Sequence, residues 1–222
     1  MTGDKMITAI FDLDGTLADT LADLADATNY GLRVLGYPEH GYDSYRKFVG
    51  NGVVKLCERA LPEDSKQDTE KLHRLFSEYY NAHYLDKTSL YEGIGDTLKA
   101  LDKDGVRLAV ATNKPQEFAV PIVEALLPGV PFVKVLGGCG ERPKKPDTAI
   151  IDEILQALPE SSAVYMIGDS DVDILTGHNA GITSIGCVWG FRGRQELESA
   201  GADFIAEKAQ DIYEIITGRH DI

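Results

Sequence analysis

Two carboxylates, Asp12 and Asp14, stand on alternate residues within ITAIFDLDGTLADT, residues 7–20. The apolar run before them (Ile7, Ala9, Ile10, Phe11) has the character of a buried strand, so both acids fall where that strand ends. Strand alternation points them the same way, yet Asp14-Gly15 is a turn signal that frees the second acid to bend over the first. Like charges held that close are costly unless a cation lies between them or one keeps its proton. With a divalent metal present, one carboxylate is available as a nucleophile and the other can move a proton. An acidic Asp-Gly turn after a strand is also a common surface feature, so the chemistry needs support from elsewhere in the chain.

That support comes from three further segments. Gly168-Asp169-Ser170-Asp171-Val172-Asp173 follows another apolar run, and Asp173 stands one helical turn beyond Asp169, on the same face. Asp12 and Asp169 together would offer the hard oxygen donors that suit Mg2+; the plainer alternative is an acidic helix start. Thr112-Asn113 can give a hydroxyl and backbone N–H groups to a phosphate at a helix N-terminus, or simply cap a helix with Pro115 in its first turn. Lys145, directly before Pro146, could neutralise a transferred phosphoryl group, although a lone lysine is more often solvated.

The elements that must position these residues follow from periodicity. Leu17, Leu21, Leu24, Thr28, Leu32 and Leu35 step by threes and fours, which predicts one helix ending near Gly36 and Pro38. The pattern stays helical to about Leu85, with no strand between 18 and 88. Beyond Gly93 strands and helices alternate, with strands expected at 106–111, 133–138, 164–167 and 182–188. This predicts an α/β fold: a doubly wound, mostly parallel, Rossmann-like sheet formed by 1–17 and 88–222, with an inserted all-helical cap at 18–87. Ligands bind outside the carboxyl ends of the strands in such sheets. Each candidate residue follows an apolar run, so folding should gather them on one rim.

A chain of 222 residues is long enough for one sizeable core with an insertion, or for two small domains. Its net charge of −14 disfavours nucleic acid and anionic membranes, and admits an anionic substrate only where a metal or lysine reverses the sign locally. Three well-separated cysteines, Cys57, Cys139 and Cys187, have no metal or redox spacing and predict free thiols in a reducing cytoplasm. A cysteine phosphatase needs Arg six positions after its Cys, where this chain has Glu63, Lys145 and Gly193. Gly50-Asn51-Gly52 runs on to Lys55, so it is no dinucleotide-binding turn. No secretory signal and no run of membrane-spanning length is expected.

FDLDGTLADT (11–20), ATNKP (111–115), KKPD (144–147) and GDSDVDILTGHNAG (168–181) occur in this order and span the core. With GNGVVKLCERAL (50–61) and VWGFR (188–192), the chain resembles the haloacid dehalogenase-like hydrolase superfamily, in particular its phosphoglycolate phosphatase-like branch with a helical cap. The resemblance implies that Asp12 is a nucleophile forming an aspartyl-phosphate. It implies that Asp14 protonates the leaving alcohol and then deprotonates water. Thr112 and Asn113, with Gly15, would hold the phosphoryl oxygens, and Lys145 would steady the nucleophile. Mg2+ would be bound by Asp12, the backbone carbonyl of Asp14 and Asp169, with Asp173 in support.

The implied substrate is a small phosphate ester such as 2-phosphoglycolate, with Gly50 and Asn51 of the cap approaching it. Arg46, Lys47 and Lys55 either read a second anionic group or are solvated. A true dehalogenase lacks the second acid of the first motif, which Asp14 supplies. A β-phosphoglucomutase-like phosphomutase would keep all four motifs, and a pyrophosphatase or nucleotidase shares the core chemistry. A non-catalytic phosphate-binding regulator has no use for a nucleophile. Two positions depart from the branch pattern: Thr148 where a second proline is frequent, and Glu92 where proline often precedes glycine. A monomer or homodimer is expected.

Overall fold

The computed structural model describes residues 6–140, 142–158 and 161–219. Strand β1 (Ile7–Phe11) leads into a tight turn at Gly15, where φ is +87° and a side chain would be strained. The Leu17 and Ala18 N–H groups donate to Leu13 O and the Gly15 N–H to Ala18 O, folding the chain back into a two-residue strand β2 (Ala18–Asp19). Four helices follow: α1 (Leu21–Leu35), α2 (Tyr42–Phe48), α3 (Val53–Ala60) and, after a 3-10 turn at Glu63–Asp68, α4 (Thr69–His83). Strand β3 (Ser89–Leu90) then pairs antiparallel with β2. The leucine spacing assigns Leu17 to a helix; it lies outside α1 because the turn at Gly15 commits the following residues to this pairing.

The remainder alternates: α5 (Ile94–Lys103), β4 (Arg107–Pro115), α6 (Gln116–Leu126), β5 (Phe132–Gly138), α7 (Ala149–Gln156), β6 (Ala163–Gly168), α8 (Asp171–Asn179), β7 (Thr183–Cys187), α9 (Arg194–Ser199), β8 (Phe204–Ala206) and α10 (Ala209–Thr217). Six strands form one sheet in the order β5-β4-β1-β6-β7-β8, every pairing parallel. The chain builds outward from β1 to β5 on one side and then from β6 to β8 on the other, so the switch point lies at β1. This is the doubly wound α/β architecture with a helical insertion.

Strand alternation sorts the core. Phe11, Leu108 and Val110 share one apolar cluster with Leu24, Tyr45, Leu56, Phe76 and Tyr80 of the insertion. Ile10, Ala109 and Met166 face the other way, onto Ile150, Ile151 and Ile154 of α7. The return of the chain from the insertion is fixed by buried Asp23 of α1. Its carboxylate accepts the Lys87 N–H (3.0 Å), the Thr88 N–H (2.8 Å) and the Thr88 hydroxyl (2.7 Å). Among the described residues no helix is long and apolar enough to cross a membrane.

Candidate active site

The carboxyl ends of β1, β4 and β6, adjacent at the centre of the sheet, carry the candidate residues. Asp12 follows β1, its N–H bonded to Ile167 O at 2.8 Å. Asp169 follows β6, Asp173 lies in the first turn of α8, and Lys145 precedes α7. On β4, Ala111 pairs with Leu136 but Pro115 pairs with Gly138, so extra residues bulge from the strand between them. The bulge breaks simple alternation, which lets Thr112, Asn113 and Lys114 all be buried. It also corrects the expectation that Thr112 and Asn113 open a helix: the strand continues to Pro115, and α6 begins only at Gln116.

Lys145 is the buried hub. Its Nζ lies 3.0 Å from Asp12 Oδ1 and 2.6 Å from Asp173 Oδ1, and donates to Ala111 O at 2.9 Å. Asp173 Oδ2 accepts the Ser170 hydroxyl (2.7 Å) and N–H (3.2 Å), so both oxygens of Asp173 are committed, and it acts through Lys145 as well as at the helix start. Asp169 Oδ2 accepts the Phe191 N–H at 2.7 Å, and Oδ1 faces the Thr16 hydroxyl at 3.4 Å. Gly15 and Gly190 close over this carboxylate; a Cβ on Gly15 would stand 2.4 Å from Asp169 Oδ2 and one on Gly190 2.2 Å from Asp169 Cβ.

Carboxylate oxygens of Asp12, Asp169 and Asp173 all lie within 4.8 Å of one another. Three buried acids therefore crowd together, and one ammonium, that of Lys145, pairs with two of them, Asp12 and Asp173. Burial, with Asp173 and Asp14 adding to it against the pull of Lys145, pushes the Asp12 carboxyl up to about 6. Burial first, then Asp173 and Asp12, holds the Asp169 carboxyl well above the usual range. Burial works against the charge of Lys145, but Asp12 and Asp173 outweigh it and raise the pKa. Lys145 is within ion-pair reach of Asp12 Oδ1 but out of hydrogen-bond alignment, so this buried oxygen lacks a hydrogen-bond partner. Excess negative charge and an orphaned oxygen on hard donors fit a divalent cation such as Mg2+.

Asp14 stands apart from the three acids. Its carboxylate takes Lys114 Nζ at 2.9 and 3.3 Å and the Thr20 hydroxyl at 2.7 Å. Thr112, buried, accepts the Lys114 N–H at 3.3 Å. Asn113 has a different use from the expected phosphoryl contact: its Nδ2 donates to Gly50 O (3.0 Å) and Lys145 O (3.2 Å), and its Oδ1 accepts the Lys145 N–H (2.9 Å). It ties the insertion to the loop that carries the lysine. The carbonyls of 49–51 are each met by a donor from the α/β part: Arg192 to Val49 O (2.7 Å), Asn113 to Gly50 O, and Lys144 to Asn51 O (3.4 Å).

A cavity of about 600 Å³, counted with its open mouth, lies over these residues. Asp12, Asp14 and Asp169 line it from the sheet, and Leu24, Val53, Leu56 and Tyr80 from the insertion. Gly50 lines it too, whereas the Asn51 side chain is turned to Arg59 (2.7 Å). Arg46 and Lys55 are occupied elsewhere, on Gly190 O (3.1 Å) and Glu58 (2.7 Å), and Lys47 is exposed outside the cavity.

Residues 9–187 match the family described as haloacid dehalogenase-like hydrolase. The chain belongs to this family. It is 33% identical over 97% of its length, and 98% of the relative, to a phosphoglycolate phosphatase of Vibrio parahaemolyticus. It is 37% identical to that of Psychrobacter arcticus over 87% of this chain and 88% of the other. A solved Haemophilus somnus structure, described as a predicted phosphoglycolate phosphatase, has a TM-score of 0.82 at 31% identity, covering 97% of this chain and 99% of that one.

Among the residues of this haloacid dehalogenase-like hydrolase that line the cavity without a role assigned from sequence are the polar Lys114, Tyr80 and Arg192. Lys114 sits inside the ATNKP motif, and Arg192 inside VWGFR, so a signal existed for both. Tyr80 reads as a core residue at helical spacing. Trp189 of VWGFR lies beyond β7 and donates its indole N–H to Thr16 O at 3.1 Å.

Proposed function

We propose that this haloacid dehalogenase-like hydrolase is a Mg2+-dependent phosphatase of a small phosphomonoester, 2-phosphoglycolate foremost, working through an aspartyl-phosphate on Asp12. The observation that carries this reading is the buried Asp12 carboxylate facing the cavity beside Lys145, with Asp14 held separately by Lys114 and Thr20. The named relatives support the substrate.

An Asp12 oxygen attacks phosphorus while the bond to the alcohol oxygen breaks, and Asp14 delivers a proton to that leaving oxygen. Asp14 then takes a proton from water as the water attacks phosphorus, which frees Asp12 and inorganic phosphate. Lys145 keeps Asp12 anionic against burial and offsets charge on the phosphoryl group. The Thr112 hydroxyl and the main chain near Gly15 and Asn113 receive phosphoryl oxygens, while the Asn113 side chain holds Lys145 in place. Asp12, Asp169 and the backbone carbonyl of Asp14 would hold Mg2+, which supplies charge neutralisation when bound, and Asp173 supports them through Lys145.

Residues 18–87 act as a cap that excludes water; the cavity wall formed by Leu24, Val53, Leu56 and Tyr80 supports this. The buried thiols of Cys57 and Cys187 suit a reducing compartment, the cytoplasm.

The test is phosphate release from 2-phosphoglycolate by the purified protein with Mg2+. Activity is expected to fall by about 10³-fold or more in Asp12→Asn and to vanish in excess chelator. Full activity in either case overturns the reading, and phosphate binding without turnover indicates a regulator instead.

A further inference from the structure

We infer that Lys114 and Tyr80 together receive a carboxylate on the alcohol part of the substrate, so that this pair selects phosphorylated hydroxy acids over esters of neutral alcohols; the inference rests on the phosphomonoesterase reading of the cavity. Both residues line the cavity, Lys114 from the β4 bulge and Tyr80 from α4 of the insertion. The Lys114 ammonium stands 5.1 Å from the Tyr80 ring centroid. Its side chain is 2% exposed, and two of its donors are directed at Asp14. An ammonium has three.

The Tyr80 hydroxyl is buried beside the Lys114 ammonium, yet it makes no well-aligned hydrogen bond to it or to any other described group. Folded proteins rarely keep such a group without use, and pairing of Lys114 with Asp14 does nothing for it. A carboxylate entering beside Lys114 supplies an acceptor for both the hydroxyl and the remaining ammonium hydrogen. Position agrees with this assignment. Asp14 meets the leaving oxygen, so the rest of the alcohol extends into the region next to Asp14, where Lys114 stands.

No other cation competes for the role. Among the described residues lining the cavity the cations are Lys114 and Arg192. Arg192 is committed to Val49 O at 2.7 Å and to Glu196 at 3.6 Å. The remaining wall from the insertion is apolar: Leu24, Val53 and Leu56.

The experiment compares kcat/KM for 2-phosphoglycolate and for ethyl phosphate, which lacks the carboxylate, in the wild type, Lys114→Met, Lys114→Arg and Tyr80→Phe, all with Mg2+. The wild type is expected to prefer the carboxylate ester. That preference should fall about 100-fold in Lys114→Met and about 10-fold in Tyr80→Phe, mostly through KM, and be partly restored in Lys114→Arg. The melting temperature of Tyr80→Phe should not drop, since the lost hydroxyl makes no well-aligned hydrogen bond in the free protein.

Equal losses on both esters would mean that Lys114 serves only Asp14, and overturn the inference. So would a Tyr80→Phe protein that is less stable with its preference intact. If Lys114→Met fails to fold, Tyr80→Phe decides alone. A wild type that hydrolyses neither ester refutes the phosphatase reading itself and this inference with it, an outcome distinct from hydrolysis without preference.

Discussion

Asp12 carries its charge where burial and two neighbouring acids oppose it, and its carboxyl is raised from 3.8 to about 6. Between those values the folded protein binds more protons than the unfolded chain. The stability this group contributes is therefore present below about pH 4 and is lost as pH rises through about 6. Without metal, we expect the Asp12 share of stability to decline across this window by on the order of 2–3 kcal/mol. Adding Mg2+ at pH 7.5 should raise the melting temperature, and metal-free Asp12→Asn should melt higher than the wild type at that pH. Thermal melts between pH 4 and 7.5, with and without Mg2+, check this; a metal-free protein that gains stability toward pH 7 through this group would contradict it. Sequence made Asp12, Asp14 and Asp169 legible because each stands just past an apolar run, where the strand period fixes its location, whereas Asp173 followed from helical spacing and Lys145 from the KKPD motif. The uses of Asn113, Lys114 and Tyr80 were not legible, because they depend on a two-dimensional register and on which helix packs overhead.

The bulge in β4 is what turns three consecutive residues inward, and no periodicity announces it. Longer elements were plain from their repeats: the strands expected at 106–111, 133–138, 164–167 and 182–188 lie close to β4, β5, β6 and β7, with helices alternating between them. The two-residue pairing of β2 and β3 was hidden, because it arises from the Gly15 turn rather than from a run of strand-forming residues. Nearby, Asp23 joins both ends of the insertion by one carboxylate. Asp23→Ala would leave the Lys87 and Thr88 N–H groups and the Thr88 hydroxyl without their acceptor. We expect a loss of about 2–4 kcal/mol in denaturant unfolding. A loss below about 0.5 kcal/mol would show that water replaces the carboxylate freely.

Across the whole molecule a net charge of −14 repels itself, and this was readable from composition alone. Raising NaCl from about 20 to about 300 mM should raise the melting temperature by a few degrees as that repulsion is screened. A steady fall would instead mean that favourable ion pairs dominate. The insertion and one face of the sheet share a single apolar cluster, which sequence periodicity within separate segments had no means of revealing.

The loop at 49–51 is gripped through its main-chain oxygens by Arg192, Asn113 and Lys144. Every amino acid brings such an oxygen, so the grip is indifferent to which side chain is attached. Val49 borders the cavity, and its neighbours Gly50 and Gly52 hold the backbone at φ +116° and +86°. Val49 is also buried in the shared apolar core, so divergence, or a library of apolar residues, can explore position 49 and alter what the ligand meets while the closure persists, provided the two glycines are left alone.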